Sequence, residues 1–263
     1  MLYSYDKSDL NPVIITRDAT PDEWIHETIG IDAAYGNERM NLHLYLPKNT
    51  EPPYQVVFYF PGSSALFLRD FEGRGLPEFI VRSGRAVAYP IYKGTYERTT
   101  GLPTNRPDMS RTYRNHVIWW SKDLSRSIDY LELRDDIQHD KISFYGLSWG
   151  AVLGAIFPAV EERISTCVLI GAGFYFEKSR PEADQINFAP RVKCPVLMLN
   201  GQYDNAFPVN TSQNPMFNLL GTPNENKKHI LIKGGHLPTE RINQETLNWL
   251  DHYLGPVKLN TEK

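Results

Sequence analysis

The chain has 263 residues, 41% of them hydrophobic and 22% charged, with a net charge of −3. That composition supplies the core of a large α/β domain, and it lacks the lysine and arginine runs that bind nucleic acid or anionic membranes. No apolar stretch approaches the ~18 residues of a membrane span, and Met1–Lys7 lacks the basic-then-apolar pattern of a signal peptide. The two cysteines, Cys167 and Cys194, each open an apolar run, the setting of reduced core thiols, so a cytoplasmic location is expected.

In chain order, residues 1–20 show no clear period and are expected as an arm over the body. Residues 25–33 and 40–46 alternate apolar and polar side chains and predict half-exposed strands at an antiparallel edge. Residues 55–60 (QVVFYF) form a continuous apolar run, the pattern of a strand buried on both faces. Residues 86–89, 142–145, 167–170, 196–199 and 229–232 follow the same pattern. Between them, helical spacing predicts helices over 115–133, 149–159 and 244–254, the last stopped by Gly255-Pro256. Strands alternating with helices predict a mostly parallel sheet covered on both faces. Residues 173–190 are too polar and proline-punctuated for a core element, and read as a lid-like excursion between strands. No domain boundary is visible, so residues 1–263 are expected to form one α/β domain.

The most informative stretch is Gly146-Leu147-Ser148-Trp149-Gly150, between an apolar run and a run of small residues. A strand that turns sharply through G-x-S-x-G into a helix is a nucleophile elbow, with the serine hydroxyl at the tip of a strained turn. A serine nucleophile needs a histidine base, and the histidine needs an orienting carboxylate. In a parallel α/β sheet these groups come from loops after strands, which share the carboxyl edge. Asp204 follows the run 196–199 through a glycine turn, and His236 follows 229–232 through Gly234-Gly235. The alternative for Asp204 is an Asx-turn or helix cap, since Phe207-Pro208 follows. His26, His43, His116, His139, His229 and His252 place worse, in edge strands, helices or polar surroundings. The order Ser148, Asp204, His236 is also the chain order of this scaffold.

An oxyanion site needs two N–H donors. One is the backbone N–H of Trp149 at the start of the elbow helix. The other is assigned to Ser63 in Pro61-Gly62-Ser63-Ser64, with Ser64 as the nearby alternative. Tyr92, Tyr96 and Arg98 follow a strand and are candidates for shaping a substrate pocket, unless Glu97 and Arg98 simply pin that loop. Phe174, Tyr175 and Phe176 open the excursion as a greasy lid or as its hydrophobic anchor. Neither H-E-x-x-H nor paired metal-binding cysteines occur, and Gly171-Ala172-Gly173 lacks the rest of a dinucleotide fingerprint. Hence no metal and no cofactor are expected.

With these residues in place the chain resembles the α/β-hydrolases, and within them the dienelactone-hydrolase and acetylxylan-esterase-like group. It is most similar to the hydrolase domain at the C-terminus of some bacterial serine/threonine kinase-type proteins. The matching stretches are residues 33–36 (AAYG), 52–55 (PPYQ), 60–63 (FPGS), 92–98 (YKGTYER), 145–150 (YGLSWG) and 187–190 (NFAP). The resemblance implies a serine-hydrolase fold and carries the triad onto Ser148, Asp204 and His236. The chain has no kinase segment and no nucleophilic cysteine, which departs from the larger proteins and from true dienelactone hydrolases. The expectation is a carboxylesterase-type enzyme acting on a small-molecule ester, with no nucleic-acid or membrane partner. Peptidase, thioesterase and acyltransferase chemistry on the same triad stay open, as does a non-catalytic binding domain. The acyl group, the alcohol and the oligomeric state are not legible.

Overall fold

The computed structural model describes residues 2–73 and 75–260. Residue 1 of the expected arm, and residues 74 and 261–263 of the expected domain, lie outside the described residues. Among the described residues nine strands form one sheet: β1 (Val13–Asp18), β2 (Trp24–Asp32), β3 (Arg39–Pro47), β4 (Tyr54–Phe60), β5 (Ala86–Pro90), β6 (Ile137–Leu147), β7 (Thr166–Ile170), β8 (Val196–Gly201) and β9 (Lys227–Ile232). Their spatial order is β1-β2-β3-β5-β4-β6-β7-β8-β9. β1, β2 and β3 run antiparallel to their neighbours, and β3 pairs antiparallel with β5. From β5 through β4 to β9 every pairing is parallel.

Among the described residues there are six α-helices: α1 (Glu78–Arg82), α2 (Arg111–Leu131), α3 (Trp149–Leu153), α4 (Gln185–Phe188), α5 (Asn214–Leu219) and α6 (Ile242–Leu254). The strand period of two divides β4 between two cores. Val56, Phe58 and Phe60 share one cluster with Val117, Trp120, Leu124 and Ile128 of α2. Val57 and Tyr59 face the other, with Ile80 and Val81 of α1 and Leu250 and Leu254 of α6. A run apolar at every position is thus what a strand between two helical layers requires.

The expected strands are all present, with boundaries shifted by a few residues. β6 begins at Ile137, earlier than expected, because Ile137 already pairs with Tyr54. The expected arm is partly a strand: residues 13–18 form β1, exposed along its length and paired only with β2. The expected helix over 149–159 ends at Leu153, continuing as turns and a 3-10 turn at Phe157–Ala159. Gly154 lies so close to Leu169 that a Cβ there would come within 2.3 Å of its Cδ2. α2 starts earlier than expected because Ser110 caps it, its Oγ accepting from the N–H of Tyr113 at 3.0 Å.

The segment 173–190 is also more embedded than its polarity suggests. Ala183, Phe188 and Ala189 join the core, and Tyr3 packs edge-on against Phe188 at 5.3 Å. Cys167 is buried and Cys194 half-buried, with their Sγ atoms 3.6 Å apart and both thiols free. Among the described residues, no helix is long and apolar enough to cross a membrane.

Beside the antiparallel edge, His43 on β3 is buried against His26 and Phe71, with ring centroids at 5.2 and 4.1 Å. Burial holds its pKa down at about 3, and His26 adds to the effect. An unfolded imidazole titrates near 6.5, so the unfolded chain takes the proton first. This contribution to stability is complete above about pH 6.5 and is lost as the pH falls toward 3, by about 2 kcal/mol at pH 5. Urea midpoints measured from pH 7 to pH 5 should therefore decline less steeply in His43→Gln than in wild type. Equal slopes would assign the acid sensitivity to other groups.

Candidate active site

Ser148 lies between β6 and α3 with φ 53° and ψ −113°, a conformation that costs a non-glycine residue about 1–3 kcal/mol. The neighbouring glycines make that turn possible. A Cβ on Gly146 would sit 2.5 Å from the carbonyl oxygen of Gly150, and one on Gly150 would sit 2.0 Å from that of Phe60. The turn is fastened by the Ser148 N–H donating to Ile170 (2.8 Å) and the Gly150 N–H donating to Pro61 (3.0 Å).

The loops after β8 and β9 bring Asp204 and His236 to Ser148. Ser148 Oγ lies 2.7 Å from His236 Nε2, and His236 Nδ1 lies 2.8 Å from Asp204 Oδ2. An ionised carboxylate only accepts, so Nδ1–H donates to Asp204, leaving Nε2 to accept from the serine hydroxyl. Asp204 is buried, and its other oxygen, Oδ1, accepts from the N–H groups of Ala206 (2.8 Å) and Phe207 (3.0 Å). The Asx-turn and the contact with the histidine, alternatives in the sequence, are therefore both made by one side chain. His236 itself is 30% exposed, with its ring 5.6 Å from that of Phe207.

Trp149 and Ser63 each occupy the first position of a helical turn, α3 and the 3-10 turn Ser63–Leu66. An N–H at that position has no acceptor within its own helix and is free for a ligand. The two loops approach closely, since a Cβ on Gly62 would lie 3.6 Å from Ser148 Cβ. A cavity of about 460 Å³ opens beside Ser148, with Ser63, Ser64 and Tyr96 in its wall.

The other expected pocket residues lie elsewhere. Tyr92 is fully buried, packed on Phe60 at 4.9 Å and Trp149 at 5.5 Å, and burial raises its phenol pKa well above the usual value. It supports the elbow from behind. Arg98 is drawn inward to Asp123 (2.7 Å) and Glu38 (3.2 Å), and also donates to the carbonyl of Ile91 (2.9 Å). The pinning partner in this loop is therefore Asp123 on α2, distant in sequence, rather than the adjacent Glu97. Phe174 is buried in the core, and its carbonyl accepts from Ser212 Oγ at 2.8 Å. Among the described residues none from 173–190 lines the cavity. This segment reaches the site indirectly, through Tyr175 packed 5.2 Å from Phe207, so it backs the histidine instead of covering the serine.

Three further residues position these groups. Gln213 is fully buried, and its Nε2 donates to the carbonyls of Gly201 (3.1 Å) and Phe207 (2.7 Å), bracing both ends of the loop that carries Asp204. Asn200 Nδ2 donates to Ala172 (2.7 Å), joining the ends of β8 and β7. Gly171, with φ +65°, leaves room for His236, whose carbonyl oxygen would lie 2.9 Å from a Cβ there. A glycine directly after a buried strand was a legible signal for Gly171. Nothing in the sequence places Gln213 beneath residues 201–207.

This is the α/β-hydrolase fold. The chain is similar along 96% of its length to the acetyl xylan esterase from Paenibacillus sp. R4, with a TM-score of 0.73, 17% identity and 91% of that chain covered. It is equally similar in fold to acetyl xylan esterase 1 from Thermoanaerobacterium sp. JW/SL YS485, with a TM-score of 0.73, 13% identity, and 96% and 90% of the two chains covered. In sequence it is 29% identical over 232 residues to the acetyl esterase Axe7A of Xylanibacter ruminicola, covering 77% of the chain. The chain spans about half (50%) of the length of that curated relative. No family model matches it.

Two substitutions test the supports. Asp123→Ala leaves the Arg98 guanidinium buried without its main counter-charge and should lower stability by about 3–5 kcal/mol in chemical denaturation. Gln213→Leu leaves two buried carbonyls unbonded and should cost about 2 kcal/mol. It should also weaken the downfield proton resonance of His236 Nδ1–H. An unaltered resonance would show that Gln213 does not position Asp204.

Proposed function

We propose that the chain is a serine hydrolase of carboxylic esters, with acetyl and other short acyl esters as its substrates. The observation that carries this reading is the continuous contact Ser148–His236–Asp204, at 2.7 and 2.8 Å, beginning on a strained serine. Ser148 Oγ attacks the ester carbonyl as His236 Nε2 takes its proton. The carbon–alkoxy bond then breaks, and the imidazolium returns that proton to the leaving oxygen. Asp204 holds the tautomer and stabilises the imidazolium. The N–H groups of Ser63 and Trp149 receive the oxyanion, each contributing about 2.7–4 kcal/mol. Water, deprotonated by the same histidine, releases the acid and restores the serine.

The choice of ester over amide or thioester is supported by the acetyl esterase and acetyl xylan esterases to which the chain is similar. A purely binding role has no use for an assembled proton relay. The resemblance to kinase-associated hydrolase domains rests on sequence motifs and enters as a proposal about context that leaves the chemistry unchanged.

The test is hydrolysis of p-nitrophenyl acetate and butyrate, with fluorophosphonate labelling of the folded protein. Wild type should turn over both esters and be labelled at Ser148. Ser148→Ala should lose labelling and fall about 10⁶-fold in kcat, and Asp204→Asn should fall about 10⁴-fold. Equal rates in wild type and Ser148→Ala would exclude the mechanism. Faster product release with an added alcohol than with water alone would assign an acyltransferase instead.

A further inference from the structure

We propose that Tyr96 is the specificity-determining stop of the acyl pocket, a wall that limits the length of acyl chain the site accepts. The inference rests on the ester-hydrolase reading above.

The side of the site that the cavity occupies follows from the chemistry. The leaving oxygen must face His236 Nε2, which protonates it, so the acyl chain extends away from the imidazole. The cavity is lined by Ser63, Ser148, Leu237, Leu68, Tyr59 and Tyr96, and among the described residues its wall does not include His236. It therefore adjoins the nucleophile and the oxyanion loop, and among the described residues it meets the histidine loop only at Leu237, as an acyl pocket does.

Tyr96 is 3% exposed and lies between this cavity and an aromatic cluster. Its hydroxyl is 2.6 Å from that of Tyr89, and its ring meets Phe71 edge-on at 5.4 Å. Phe71 in turn packs on Tyr89 at 4.7 Å. Removing the ring would extend the cavity toward Phe71 and Tyr89, into apolar surroundings.

The backbone at Tyr96 is left-handed, with φ 47°. A bulky aromatic residue there is an outlier that persists only where the surroundings over-determine it. Here they do. Arg98 is locked to Asp123, its carbonyl accepts from the Gly94 N–H (2.9 Å), and Thr95 Oγ1 donates to the carbonyl of Tyr92 (2.7 Å). Strain is thus held at two residues of one cavity, Ser148 and Tyr96, and only the first is explained by the nucleophile. Arg98 and Asp123 are positioning residues for the second.

The experiment measures kcat/KM for p-nitrophenyl esters from two to twelve carbons, normalised to the fraction titrated by a short fluorophosphonate. The proteins are wild type, Tyr96→Gly and Tyr96→Phe. Glycine adopts this backbone freely, and Tyr96→Asn, the next most tolerant residue, opens the same space as a second variant. In Tyr96→Gly and Tyr96→Asn the optimum should move to acyl chains at least two carbons longer. Each newly buried methylene should raise kcat/KM about fourfold relative to acetate. Tyr96→Phe, which keeps the ring, should keep the wild-type optimum. A wild-type length profile in both opened variants, with hydrolysis still dependent on Ser148, would overturn this inference alone. Hydrolysis by wild type that does not depend on Ser148 would overturn the ester-hydrolase reading and this inference with it.

Discussion

The site depends on the close passage between β6, α3 and the end of β4. Gly146 and Gly150 meet there across distances that leave no room for a Cβ, and the Phe60 carbonyl presses against Gly150. Interiors are packed to the density of crystals, so such a crossing cannot be widened locally. The conformation of Ser148, the free N–H at the start of α3 and the nearness of the Pro61–Ser64 loop all follow from it. Trp149, Tyr92 and Trp120 fill the space behind, with Trp120 4.9 Å from Trp149. The aromatic core and the half-buried serine are two faces of one packing arrangement.

The fold was legible because its strands are short apolar runs and its main helix carries a long amphipathic stripe, both local signals. The serine, aspartate and histidine were legible for a different reason: each follows a strand, and a parallel sheet collects such positions on one edge. Residues whose role depends on the path of a loop could not be read this way. Tyr92 and Arg98 lie on a loop that leaves the correct edge, yet their side chains turn inward. Arg98 turns because Asp123, 25 positions later on α2, offers a buried carboxylate. Phe174 stayed open between lid and anchor because a short aromatic run beside polar residues describes both equally well, and its burial makes it an anchor. β1 was missed because a strand exposed on both faces has no hydrophobic period to detect.

Buried polar contacts hold the loops where apolar packing alone would leave them loose. Gln213, Asn200 and the Arg98–Asp123 pair each tie a loop to a neighbouring element through donors and acceptors that fit in few ways. Such contacts add little net stability but are costly to break from one side, which makes them better at fixing position than at strengthening the fold. All three lie within the scaffold that supports Asp204, His236 or Tyr96.

The sheet order places the three loops unevenly. Ser148 follows β6, which has strands on both sides, whereas His236 follows β9, the last strand of the sheet, paired only with β8. β9 is also mostly half-exposed or exposed. The imidazole therefore hangs from the rim of the sheet while the hydroxyl it contacts is rooted in the middle. Opening of a rim strand requires far less than global unfolding, so the hydroxyl–imidazole contact is only as durable as a single strand pair. Because His236 comes 88 positions after Ser148, a growing chain makes the hydroxyl well before it acquires the ring.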